Sequence, residues 1–131
     1  MNSGTDAVQL LDELFRAFNA HDADKVVSLM TEDCVFEAAA GPEVHGARHV
    51  GRAAVKAAFE NVWKGLPDVR WDVTAHFVAG DRAVSEWIFR ATRPDGARIE
   101  VEGCDLFSLR DGRIAAKRAF RKDRPPIDPK A

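Results

Sequence analysis

The sequence predicts an α+β domain in which three N-terminal helices pack on a curved antiparallel sheet and enclose a pocket. Three observations carry this. Apolar residues recur at helical spacing as far as Trp63, the period switches to two from Val69 onward, and three turn signals (Gly80-Asp81, Pro94-Asp95-Gly96 and Asp111-Gly112) divide the remainder into consecutive strands. Helices followed by a strand meander place the helices on one face of the sheet.

The first helix is marked by Asp6 as N-cap with Gln9 three residues on, a capping-box pattern, and by the stripe Val8, Leu11, Leu14, Phe15 and Phe18. Asn19-Ala20-His21-Asp22 interrupts it. Asp22 then caps a short second helix with Val26, Val27, Leu29 and Met30 on its apolar face. Thr31-Glu32-Asp33 reads as a turn, and Cys34-Val35-Phe36-Glu37 as a short β-prone run. Residues 38–51 hold three glycines and a proline, the composition of an irregular loop. Val55, Ala58, Phe59, Val62 and Trp63 form the face of a third helix, which Gly65 and Pro67 end. Four long antiparallel strands follow, at about 69–78, 82–93, 97–110 and 113–121. The tail, RPPIDPK, is too rich in proline to add regular structure.

A chain of 131 residues and 14.4 kDa suits one domain, spanning 1–131 with a core at about 6–121 and an extended proline-rich tail at 122–131. Its 46% hydrophobic and 31% charged residues are those of an ordinary globule. A net charge of −2 gives no reason to expect nucleic acid as a partner, and the basic run from Lys117 to Arg124 reads as a solvated face. No apolar run is long enough to span a membrane, and the N-terminal stretch lacks the basic and apolar regions of a signal peptide. Cys34 and Cys104 are far apart, without CxxC spacing, and read as reduced thiols; the expected location is the cytoplasm.

The informative strand is the third of the four. Ile99, Val101, Phe107 and Leu109 share a phase with Gly103 and Asp105, so simple alternation points a carboxylate to the apolar side. Such a group is costly unless paired, hydrogen-bonded or neutral, and desolvation raises its pKa, which suits acid–base work. A structural aspartate, or a bulge at Gly103 that turns the side chain outward, is the competing reading. Glu37, at a strand end on the pocket side, is a second candidate carboxylate. Trp63, Trp71, Trp87, Phe89 and Phe107 are candidate lining residues. In the last strand either Arg118 or Arg121 faces inward, and Arg118 is the candidate for an anionic group. His45 can reach over the pocket mouth as a proton carrier. His45 and His49 have HxxxH spacing, but the glycines around them oppose a helix and no third ligand is evident, so no metal is expected. The sequence has no P-loop, GxSxG or dinucleotide fingerprint, and no cofactor is expected.

Phe18-Asn19-Ala20-His21-Asp22, Glu32-Asp33-Cys34-Val35-Phe36-Glu37, the Gly-rich loop and Cys104-Asp105-Leu106-Phe107…Asp111-Gly112-Arg113-Ile114 resemble the nuclear transport factor 2-like superfamily. The nearest kin by this resemblance are SnoaL-like polyketide cyclases and ketosteroid-isomerase-related proteins. The resemblance spans about residues 6–121 and implies a cone-shaped fold, often a homodimer through the outer face of the sheet. Ketosteroid isomerase uses an aspartate base with an oxyanion hole of a tyrosine and a protonated aspartate. By this resemblance Asp105 stands at the protonated aspartate, Ala38 at the base and Leu14 at the tyrosine; the chain has no tyrosine at all. SnoaL-like cyclases use an aspartate in an apolar pocket as acid or base, and Asp105 is the matching residue. The sequence is also similar to small proteins classed as small subunits of taurine dehydrogenase.

Two functions are therefore expected. One is a cofactor-independent isomerase, cyclase or dehydratase acting on a small, largely apolar carbonyl compound, with Asp105 as acid or base, so that Asp105→Asn abolishes turnover and leaves the fold intact. The other is a non-catalytic ligand-binding protein or accessory small subunit of a larger, dehydrogenase-type enzyme. Both allow a homodimer through the sheet, on which Val84, Ile88 and Leu106 are apolar in the outer phase.

Overall fold

In the computed structural model, which describes residues 3–130, the chain runs α1 (Ser3–Asn19), α2 (Ala23–Ser28), β1 (Met30–Glu37), β2 (Arg48–Val50), α3 (Arg52–Gly65), β3 (Arg70–Ala79), β4 (Arg82–Thr92), β5 (Arg98–Arg110) and β6 (Arg113–Arg121). One six-stranded sheet has the order β2-β1-β6-β5-β4-β3. The helices lie on its inner face, giving the α+β arrangement that the periodicity predicts and the cone that the resemblance implies.

The strand meander follows from the turns. Asp111 and Gly112 both take positive φ (53° and 75°), the pairing that a tight β5–β6 hairpin needs. Asp22 caps α2 by accepting the Lys25 N–H at 3.1 Å. α1 starts at Ser3, so Asp6 lies in its first turn, where its charge faces the positive helix end, and not at the cap.

Four further features depart from the sequence reading. Thr31–Asp33 is strand and not turn: β1 begins at Met30 and pairs in parallel with β6, so the sheet is not wholly antiparallel. The turn signal there reflects an irregularity. Between the pairs Met30↔Ile114 and Val35↔Ala116, five steps of β1 oppose two of β6. The segment read as a loop contains β2, which pairs antiparallel with β1 through Val35↔Val50 and Glu37↔Arg48. Three residues flanked by glycine are too few for period two to register. The tail also folds back: Ile127 exchanges backbone hydrogen bonds with Arg98 (2.9 and 2.7 Å), because this non-proline residue keeps its N–H.

Leu11, Leu14, Phe15 and Phe18 of α1 and Val55 and Phe59 of α3 meet Phe107 of the sheet in one core, each of these side chains buried. The Asn19–Asp22 connection closes the exposed edge of β3. The Asn19 amide donates to the Trp71 carbonyl (2.9 Å) and accepts the Trp71 N–H (2.8 Å), so one side chain stands in for a neighbouring strand. His21, at φ 57°, lies 3.0 Å from the Val69 carbonyl through Nε2 and stacks on Trp63. Cys34 and Cys104 are both free thiols.

Candidate functional site

A cavity of about 380 Å³ opens between α3, the 38–40 segment and the inner face of the sheet. That volume suits a small organic ligand. Phe59, Val62 and Leu66 supply the helical wall; Phe36, Trp71, Trp87 and Phe89 supply the strand wall. Neither α1 nor α2 lines it, so the cavity is narrower in its contacts than a space bounded by all three helices. α1 seals the other part of the cone with its core stripe.

The buried charged group at this wall is Lys117, which the sequence reading places in a solvated basic run. Its side chain is 3% exposed, lines the cavity, and lies 3.0 Å from Asp105 Oδ1. Its Nζ sits 5.0, 4.8 and 5.6 Å from the ring centres of Phe18, Phe36 and Phe59. Three aromatic faces and one carboxylate therefore surround a buried ammonium. The other oxygen of Asp105, Oδ2, accepts the Trp87 indole N–H at 2.9 Å.

Register explains the placement. β5 and β6 pair Phe107↔Lys117 and Asp105↔Ala119, but a shift between Ser108↔Ala116 and Leu109↔Ile114 inserts one extra residue in β6. Ile114 and Lys117 consequently both face inward although their parity differs, and both are buried. Beyond the bulge the inward residues are Lys117, Ala119 and Arg121, and all three line the cavity. Arg118, the candidate for an anionic group, pairs with Leu106 and faces outward. No bulge forms at Gly103; β4 and β5 stay in register throughout, which holds Asp105 inward beside Ser85.

Asp105 is fully buried and does not itself line the cavity, since Lys117 and Trp87 stand between. Burial pushes its carboxyl above the usual range, and the Lys117 charge and the two hydrogen bonds oppose that rise. Glu37 does not face the cavity either. It is held by Arg48, whose Nε donates at 2.8 Å and whose guanidinium forms an ion pair with it at 2.7 Å. Trp87 and Phe89 line the cavity, whereas Phe107 is fully buried against Phe15, edge to face at 6.3 Å. Trp63 packs on His21 behind the helical wall, its indole nitrogen buried without a partner. His45 lies in the 38–47 connection outside the lining, with Nδ1 buried and unpartnered. His49 stacks on Phe36. Among the described residues no group of three or more His, Cys, Asp or Glu side chains is placed to hold a metal ion.

Asp12, His76 and Ser85 also form a chain: His76 Nε2 lies 2.9 Å from Asp12 and Nδ1 2.7 Å from Ser85 Oγ. These are the groups of a hydrolytic triad, but Ser85 is fully buried and is not part of the cavity lining. The chain ties α1 to the sheet.

A protein-family comparison matches residues 11–117 to the SnoaL-like domain. The chain belongs to the SnoaL-like domain family. A nuclear transport factor 2-like protein of unknown function from Mesorhizobium loti is 31% identical, with a TM-score of 0.76 over 94% of this chain and 96% of that one. Bal32a, from a soil-derived mobile gene cassette, superposes on this SnoaL-like domain with a TM-score of 0.83 at 22% identity, covering 93% of each chain. TerC, co-crystallized with polyporic acid, superposes with a TM-score of 0.77 at 19% identity over 89% of this chain and 92% of that one. Comparison with curated proteins gives no match. No helix among the described residues is long and apolar enough to cross a membrane.

Proposed function

We propose that the chain is a cofactor-independent acid–base enzyme of the isomerase, cyclase or dehydratase type, acting on a small, largely apolar carbonyl compound. The observation that carries this reading is the buried Lys117–Asp105 pair, whose lysine lines a largely apolar cavity. In this reading Lys117 is the catalytic residue and Asp105 the positioning residue behind it. The ammonium donates to the substrate oxygen, meeting negative charge as it develops in a site of low dielectric. As a solvent water takes the proton from the carbon next to the carbonyl, the Lys117 proton passes to the oxygen, and the hydronium so formed returns a proton to the amine. Carbonyl becomes enol, and Lys117 returns to the ammonium form. Membership of the family and the ligand carried by TerC support a small-molecule site.

The test is exchange of α-protons with solvent deuterium in enolisable cyclic ketones, followed by NMR. The expected result is exchange by the native protein about 10²–10⁴-fold above Lys117→Met, the usual worth of a positioned proton donor. Equal exchange in the two overturns the assignment.

A second reading has its own support. Both Asp105 oxygens already have donors within the protein, and Ala38, at the position corresponding to the isomerase base, lines the cavity with a methyl group. These favour ligand binding without turnover, as in an accessory subunit. Ligand retention without exchange, together with co-purification of a larger enzyme, is its signature. A homodimer through the outer sheet face fits either reading, and Phe77 and Phe120 are more than half exposed on that face.

A further inference from the structure

Among the described residues Lys117 and Arg121 are the only charged side chains lining the cavity, and both are cations. The two differ in what balances them. Lys117 has Asp105 at 3.0 Å. Arg121 has no ion-pair partner among the described residues, while Arg48, Arg70, Arg90, Arg93 and Arg110 each hold a carboxylate. The Arg121 guanidinium lies 4.6 Å from the Phe89 ring centre, over the cavity's aromatic wall. Both cations lie on one face of β6 four residues apart, about 13 Å along the strand. Lys117 is buried and Arg121 is exposed, so one cation stands at depth and the other at the mouth.

We propose that the cavity selects a flat apolar compound bearing an acidic group, a carboxylate or an ionised enol, which the Arg121 guanidinium captures at the mouth while the apolar body lies against Trp71, Trp87 and Phe89. This deepens the reading above and rests on the same cavity being the ligand site. An unpaired guanidinium presents a planar fork that matches a carboxylate with two parallel hydrogen bonds. The stem of this exposed side chain is covered enough that desolvation lowers the Arg121 pKa, with Asp123 opposing. The same charges disfavour an amine of equal shape, because a cationic ligand meets two cations and, among the described residues, no carboxylate in the lining.

The test is calorimetric titration of the native protein with three probes of one shape: 2-naphthoate, 2-naphthalenemethanol and 2-naphthylmethylamine. Naphthoate is expected to bind roughly tenfold or more tighter than the alcohol, the scale of a hydrogen bond to a charged group, and the amine weakest. Arg121→Gln removes the preference for naphthoate, so that naphthoate and the alcohol bind alike in the variant. Equal binding of naphthoate and alcohol overturns the proposal, as does a preference that survives Arg121→Gln and disappears in Lys117→Met. Failure of all three probes to bind overturns both this proposal and the cavity as ligand site. Selectivity for the acid without α-proton exchange in any ketone leaves this inference standing and overturns only the catalytic reading.

Discussion

Lys117 and Asp105 are each tolerated in the interior because of the other. Breaking a buried pair from one side leaves an uncompensated charge and typically costs about 3–5 kcal/mol, whereas replacing both members by apolar residues is often neutral or better. Lys117→Met and Asp105→Leu are each expected to lose stability on that scale in urea unfolding, and the double variant to recover most of it. The same logic revises the expectation that Asp105→Asn leaves the fold intact, because that change strands the Lys117 ammonium. The pH dependence has a definite sign. Burial raises the Asp105 pKa, and Lys117 opposes the rise, so removing Lys117 raises it further. A carboxyl whose pKa is higher in the folded state than in the unfolded chain is stabilising when protonated, and that contribution falls as pH climbs above the unfolded value of about 3.9. The deficit of Lys117→Met relative to native protein is therefore expected to be smaller at pH 5 than at pH 8, by urea midpoints at each pH. A deficit independent of pH contradicts an unpaired buried carboxyl in the variant.

At the scale of the element, β5 and β6 place the pair, and one glycine gives it room. A Cβ on Gly103 would lie 2.5 Å from the Phe120 carbonyl oxygen and 2.5 Å from the Trp87 ring. The glycine lets the indole lie close over β5 while its N–H reaches Asp105. Gly103→Ala is expected to cost about 1–3 kcal/mol, as overpacking usually does, and to shift tryptophan fluorescence as Trp87 moves. An unchanged urea midpoint refutes the close fit. These two strands also show how far sequence reading goes. Period two carried Asp105 to the inner face because β4 and β5 keep register along their whole length. On β6 the same rule leaves either Arg118 or Arg121 inward, and one bulge between Ile114 and Ala116 selects the phase of Lys117 and Arg121. A bulge in a nine-residue strand of mixed charge leaves no mark in the sequence, so period two alone does not bring Lys117 to the inner face together with Ile114. Glu37 was misplaced for a related reason: its partner Arg48 lies on β2, a strand too short to read.

For the whole molecule, the turns and helical stripes make the cone legible, whereas the cavity's position depends on which helix leaves the sheet uncovered, a question of packing that periodicity does not address. The outer face raises the matching question of what covers it. Phe77, Val84, Leu106 and Arg118 form one row across β3, β4, β5 and β6, and Phe120 lies in the adjacent row beside Cys104. Phe77 is 58% and Phe120 51% exposed. An apolar stripe on a sheet face, with charged neighbours such as Glu86 and Glu102, has the composition of an interface core with a polar rim. The expected partner is a second copy, since a two-fold axis lets one stripe cover itself. Sedimentation of the native protein at micromolar concentration should give a dimer, and Phe77→Glu/Phe120→Glu a monomer that still melts cooperatively. Cys104 supplies an independent check, because a dimer through this face slows its reaction with a maleimide and the double variant restores it. A native monomer at that concentration, with Cys104 reacting equally fast in both proteins, refutes self-association through the sheet.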